Sequence, residues 1–166
     1  MALEIERRFL VCGEHWRDRA GPPQALRQGY LASSERGVTV RLRIRDDQVA
    51  WLTLKAPAAG FARHEFEYPL PLDDAEALWL LAPQRLIKTR YALDLPGGEW
   101  VVDCFGGENA PLVLAEVELP SADTSVALPS WCGQEITGDN RWSNAALALQ
   151  PLVTWPSTLK ESFDLL

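Results

Sequence analysis

The sequence predicts an α+β protein: an eight-stranded antiparallel β-barrel with flanking helices. Three observations predict it. Apolar and charged residues alternate with period two in eight segments between Leu3 and Leu119, turn-forming residues punctuate those segments, and helical spacing is confined to one insertion and to the chain beyond about residue 140. At 166 residues the chain suits a single domain spanning 1–166, with the helices from about 140 packed on the barrel or capping it.

The first strand contains Glu4-Ile5-Glu6-Arg7-Arg8 and runs on through Phe9-Leu10-Val11; Glu4, Glu6 and Arg8 share one face and Leu3, Ile5, Phe9 and Val11 the other. Cys12 to Ala20 is a polar loop or short helix, ended by Gly21-Pro22-Pro23. Ala25 to Leu31 is the second strand, with Gln28 and Tyr30 on one face, and Ser33 to Gly37 is turn-like. Val38 to Arg45 alternates strictly, setting Arg41, Arg43 and Arg45 against Val40, Leu42 and Ile44. Asp46-Asp47 turns it into Val49 to Lys55, where Trp51, Thr53 and Lys55 share a face. Phe61 to Leu70 places Arg63, Glu65 and Glu67 opposite His64, Phe66, Tyr68 and Leu70.

Asp73 with Glu76 reads as a capping box for a helix through Leu81, ended by Pro83. Arg85 to Leu93 carries Lys88 and Arg90, and Pro96-Gly97-Gly98 marks a hairpin into Glu99 to Phe105 with Asp103. Leu112 to Leu119 is the last strand, with Glu116 and Glu118 opposite Val113, Ala115 and Val117. Beyond Pro120 the pattern is loop and helix, with helices expected over Asn140–Gln150 and Ser157–Leu166.

Composition narrows the function. A net charge of -7 argues against binding nucleic acid through the whole surface, so an anion site must be a local basic cluster. Cys12, Cys104 and Cys132 are odd in number and lack a C-x-x-C pair, which favours a reducing cytoplasm over a disulfide framework or zinc site. No signal-peptide pattern or bilayer-length apolar run is present, so no membrane partner is expected.

For one strand, a solvated sheet face explains such charges; for the ensemble it does not. Two like charges about 6 Å apart repel by roughly 2–3 kcal/mol at an effective dielectric near 20, so repeated same-sign pairs call for counter-charge. A polyanion beside the arginines and a divalent cation beside the Glu-x-Glu pairs supply it. Closing the barrel turns both sets inward around one channel.

These residues carry a resemblance. Glu4-Ile5-Glu6-Arg7-Arg8 resembles the E-x-E-x-K signature of the CYTH superfamily, the triphosphate tunnel metalloenzymes. Arg27-Gln28-Gly29-Tyr30-Leu31, Arg41-x-Arg43, Thr53-Leu54-Lys55, Glu65-x-Glu67, Lys88-Thr89-Arg90-Tyr91, Asp103 and Glu116-x-Glu118 keep that family's order over residues 2 to 150. The likeness is to short bacterial inorganic triphosphatases. It implies a tunnel that hydrolyses the terminal phosphoanhydride of triphosphate with Mg²⁺ or Mn²⁺. Glu116 and Glu118, with Glu4, Glu6 and Asp103, would hold metal; Arg8, Arg41, Arg43, Lys55, Lys88 and Arg90 would hold phosphates.

The resemblance also implies a Lys–Tyr pair that activates water, and Tyr30 takes the tyrosine position. Arg8 stands where the family has lysine and is no base, so the expectation is retained binding, with activity either reduced or reliant on metal. Arg8 is further expected to lower the pKa of Tyr30. The alternatives are a non-catalytic triphosphate or polyphosphate sensor or, within the fold, a thiamine triphosphatase or adenylate cyclase; a homodimer is compatible with all of them. His64 faces away from the charged side, Trp51 shares the Lys55 face, and Arg141 lies either at one mouth or on the surface.

Overall fold

The computed structural model describes residues 3–34 and 36–165. Its strands are β1 (Leu3–Val11), β2 (Gln24–Ala32), β3 (Thr39–Arg45), β4 (Val49–Pro57), β5 (Ala62–Leu70), β6 (Gln84–Leu93), β7 (Glu99–Phe105), β8 (Val113–Glu118) and β9 (Cys132–Glu135). The helices are α1 (Leu72–Leu81), α2 (Asn144–Leu149) and α3 (Ser157–Ser162). Strands follow the order β5-β4-β3-β2-β6-β7-β8-β1, every neighbour antiparallel, and β1 pairs back onto β5. The expected eight-stranded antiparallel barrel is therefore closed. No helix among the described residues is long and apolar enough to cross a membrane.

Directly opposed residues of antiparallel strands share a face, so the register carries each charged face to its neighbour. Arg8 lies opposite Glu116, Lys55 opposite Glu65, Tyr30 opposite Arg41 and Arg90 opposite Asp103. The lining is consequently polar around the charged residues; two apolar cores lie on the outer face, and a third is built on lumen-facing residues at one end of the barrel. One is Leu42, Ile44 and Ala50 beneath Ala75 of α1. A second joins Phe9, Trp100, Val102 and Val117 to Trp16 and Trp131. A third caps one end, where Trp142, Leu147, Leu152 and Trp155 pack on Leu10, Leu86, Phe105 and Leu114. Gly29 allows the close approach of α1, since a Cβ there would come 2.9 Å from Ala82 Cβ.

Four expectations need correction. The first helix starts at Leu72 with Pro71 at the N-cap, not Asp73, and no side chain caps it. Asp73 and Asp74 occupy its first turn, where acids complement the helix dipole. Glu76 completes no capping box because its carboxylate is taken by Arg27. The helix expected over Asn140–Gln150 is broken at extended Ser143, which separates a 3-10 turn (Asn140–Trp142) from α2 and caps α2 through the Ala146 amide.

The last helix ends at Ser162, before the positive-φ Asp164; Leu166, like Glu35 of the Ser33–Gly37 turn, lies outside the described residues. The fourth correction is β9 itself, a strand in the stretch read as loop. It pairs with β1 at Phe9 and Val11, along the edge where β5 paired only as far as Ile5.

Candidate active site

β1 presents Glu4, Glu6 and Arg8 to the interior because residues two apart share a strand face. By the same alternation and register, Tyr30, Arg41, Arg43, Lys55, Lys88, Arg90, Asp103, Glu116 and Glu118 face the same lumen. Trp51 is inward beneath the Arg45 guanidinium, at 4.9 Å. Arg141 stays at the surface, paired with Asp139 at 2.6 Å. A cavity of about 490 Å³ opens among Glu4, Glu6, Arg8, Tyr30, Arg41 and Lys55, and the segment from Thr137 to Ala146 forms one of its walls.

The ionisable groups fall into two sets. In the first, Asp103 is fully buried between Lys88 Nζ at 2.6 Å and Arg90 Nε at 2.8 Å. Burial alone would raise its pKa, but Arg90 and Lys88 hold it far below the usual carboxylate range. Burial in turn lowers Lys88 to about 7 against the pull of Asp103. Asn144 Oδ1 accepts a second bond from Lys88 Nζ at 3.1 Å.

Glu116 joins this set to the cavity, taking Arg8 Nε at 3.3 Å and Arg90 Nη2 at 3.5 Å. Those two cations bring its carboxyl down to about 2 against burial.

The second set is incompletely partnered, and all of it but Arg43 lines the cavity. Arg8 Nη1 donates to the Trp142 carbonyl at 2.7 Å, while Arg8 Nη2 is buried without a hydrogen-bond partner. Arg41 donates to Thr53 Oγ1 at 3.1 Å, yet its buried Nε has no partner. Arg43 donates to Gln28 Oε1 at 3.0 Å and has no carboxylate partner among the described residues; burial, then Arg41 and Arg90, lower it to about 9. Lys55 reaches Glu4 at 2.6 Å and Glu65 at 3.4 Å. Glu6 has neither hydrogen-bond nor ion-pair partner among the described residues, and burial, then Glu116 and Glu4, raise it to about 8.

Tyr30 departs from expectation. Its pKa is raised by burial, and the cations opposing that rise are Arg41, Arg43 and Lys55, not Arg8. Arg8 is occupied by Glu116 and Trp142.

A hard divalent cation fits the donors present. Glu6 is a half-buried carboxylate with no ion-pair partner among the described residues, flanked by Glu4, Glu116 and Glu118, all oxygen donors. No three Asp, Glu, His or Cys side chains among the described residues already converge as a metal cage. That suits an ion held by one or two carboxylates together with substrate phosphates.

Cations and carboxylates thus line one cavity, with Arg8, Arg41 and Lys55 beside Glu4 and Glu6. The comparisons agree with the geometry. A CYTH domain model matches residues 2–143. The chain belongs to the CYTH family.

Among CYTH relatives, the chain is 39% identical over 153 residues to an inorganic triphosphatase of Acetivibrio thermocellus, an alignment covering 91% of this chain and 96% of that one. It is also 39% identical over 150 residues to an inorganic triphosphatase of Nitrosomonas europaea, covering 88% and 97%. A crystal structure of an inorganic triphosphatase superposes with a TM-score of 0.62 at 37% identity, covering 90% of this chain and 96% of that one.

Reading the CYTH pattern along the strands missed three participants. Gln28, fully buried, bridges Arg43 and Tyr30; its parity with Tyr30 was the available signal. Asn144 and the Trp142 carbonyl reach Lys88 and Arg8 from the C-terminal segment, and no charge pattern announces either.

Proposed function

We propose that this CYTH protein hydrolyses the terminal phosphoanhydride of inorganic triphosphate with a divalent cation, Mg²⁺ or Mn²⁺. The observation that carries the reading is a cavity lined by the cations Arg8, Arg41 and Lys55 together with Glu6, which has no ion-pair partner among the described residues. Guanidinium groups grip phosphate oxygens through charge-assisted hydrogen bonds, and a carboxylate beside them suits the accompanying cation. The two relatives at 39% identity, both named inorganic triphosphatases, support the same substrate.

In this reading Arg8, Arg41, Arg43 and Lys55 bind the phosphate chain from the cavity wall, and Lys88 and Arg90 bind its inner end. Glu6 and Glu118, neither ion-paired among the described residues, would hold the cation directly, with Glu4 and Glu116, paired to Lys55 and to Arg8 and Arg90, reaching it through water. Asp103, held by Lys88 at 2.6 Å and Arg90 at 2.8 Å, serves to position those two cations. When bound, a divalent cation supplies the positive charge that neutralises the phosphoryl group in transfer. Arg8 stays protonated, so it stabilises charge and abstracts no proton. Tyr30 is left to donate a hydrogen bond to the phosphate chain. The three cysteines, all free, suit a reducing cytoplasm.

Phosphate release from inorganic triphosphate with Mg²⁺ or Mn²⁺ tests the reading, comparing wild type with Glu116→Gln. Turnover by wild type that falls at least about 100-fold in the variant is the expected result. Absence of turnover, with triphosphate still bound in the presence of metal, overturns the hydrolase reading and leaves a sensor.

A further inference from the structure

Gln28 is fully buried in the barrel wall, and its two hydrogen bonds have only one chemically allowed arrangement. Arg43 Nε lies 3.0 Å from the Gln28 amide, and arginine carries no acceptor. The amide oxygen must therefore face Arg43. The amide nitrogen then faces Tyr30 Oη, at 2.9 Å, and can only donate to it.

Tyr30 Oη is thus an acceptor toward the wall, and its own proton must point elsewhere. Among the described residues nothing accepts that proton. The charged groups acting on the phenol are Arg41, Arg43 and Lys55, all donors, and Tyr30 lines the cavity.

We propose that Gln28 is a positioning residue that commits the Tyr30 hydroxyl proton to the cavity, where a non-bridging phosphate oxygen of the bound polyphosphate accepts it. Gln28 also sets the fork of Arg43. Holding Nε leaves the two terminal nitrogens of that guanidinium free for bidentate contact with phosphate. The inference rests on the triphosphate reading of the site, which it deepens by giving Tyr30 a fixed hydrogen-bond direction.

Gln28→Glu is the discriminating variant. It keeps an oxygen for Arg43 but replaces the donor facing Tyr30 with an acceptor, which draws the phenolic proton back to the wall. Turnover of inorganic triphosphate with Mg²⁺ is measured for wild type, Gln28→Glu, Tyr30→Phe and the double variant. Gln28→Glu is expected to lower kcat by about 10–100-fold and to raise KM by about 5–10-fold. In the Tyr30→Phe background the same substitution is expected to change kcat by less than about twofold.

Wild-type kcat in Gln28→Glu, or equal losses in both backgrounds, overturns the proposal. Gln28→Met, nearly isosteric and unable to hydrogen-bond in this way, serves if Gln28→Glu does not fold; because it also releases Arg43 Nε, its loss must shrink, without vanishing, in the Tyr30→Phe background. Should wild type release no phosphate, the hydrolase reading fails and the Gln28 proposal is judged by triphosphate affinity in calorimetry. There Gln28→Glu and Tyr30→Phe should each weaken binding about 5–10-fold and the double variant no further, whereas multiplying losses overturn the proposal.

Discussion

Two parts of the barrel interior hold the same kinds of side chain in opposite conditions. Around Asp103 the charges are closed upon themselves: one carboxylate, two cations, and an amide from the C-terminal segment on the second side of Lys88. Around Glu6 and Arg41 they are more open: Glu6 has no ion-pair partner among the described residues, and Arg41 has only Glu67 at 3.6 Å, both Glu6 and Arg41 lining the cavity. The difference separates charges that hold the protein together from charges that await a ligand. Identity of residue type does not separate them, because arginines and carboxylates occur in both.

The contrast breaks most visibly at Asp103. Asp103→Asn leaves Lys88 buried without counter-charge and Arg90 with Glu116 alone, and urea unfolding should show a loss of about 3–5 kcal/mol. A loss below about 1 kcal/mol would mean that the cluster is not a closed unit.

Arg43→Met should do the reverse. Its guanidinium holds an amide and no carboxylate, so stability should change little, whereas triphosphate affinity by calorimetry should weaken roughly 10–100-fold, about 1.4–2.8 kcal/mol. Unchanged affinity would place Arg43 with the structural charges.

The smallest effect is expected at Glu6. Its carboxyl is raised to about 8 from the usual 4.5, so the folded protein retains a proton there that the unfolded chain has released. Metal-free stability attributable to Glu6 therefore falls as pH rises from about 4.5 to about 8, and Glu6→Gln should be more stable than wild type at pH 8 and no more stable at pH 4. The same variant should weaken Mn²⁺ binding in calorimetry. A variant less stable than wild type at pH 8 would show that Glu6 has a partner in solution.

Much of the interior was legible from alternation alone. A strict period of two tells which side chains of β1, β3, β6 and β8 share a face, and closing the sheet makes those faces one lumen. Alternation carries no information on register, so it could not distinguish Asp103, met by two cations, from Glu6, met by none. Glu76 shows a local motif overridden by tertiary contact: the spacing for a capping box is present, but Arg27 from β2 claims the carboxylate.

β9 was illegible because Cys132-Gly133-Gln134-Glu135 has no apolar alternation. It is a strand only because β1 offers an edge there, with Phe9 facing Glu135 and Val11 facing Cys132. The part played by Trp142 lies in its backbone carbonyl, on which side-chain pattern is silent.

The connectivity of β1 also governs when the site can come into being. Its neighbours are β5, β8 and β9, so Arg8 meets Glu116 across 108 residues of chain and Trp142 across 134. At roughly 5–20 residues per second of synthesis, the first strand waits about 5–27 seconds for the partners that complete its pairing. Through that interval Glu4, Glu6 and Arg8 stand in water on an unpaired segment. Closure of the barrel is then a late, long-range event, and it assembles the charged lumen and buries Phe9 in a single step.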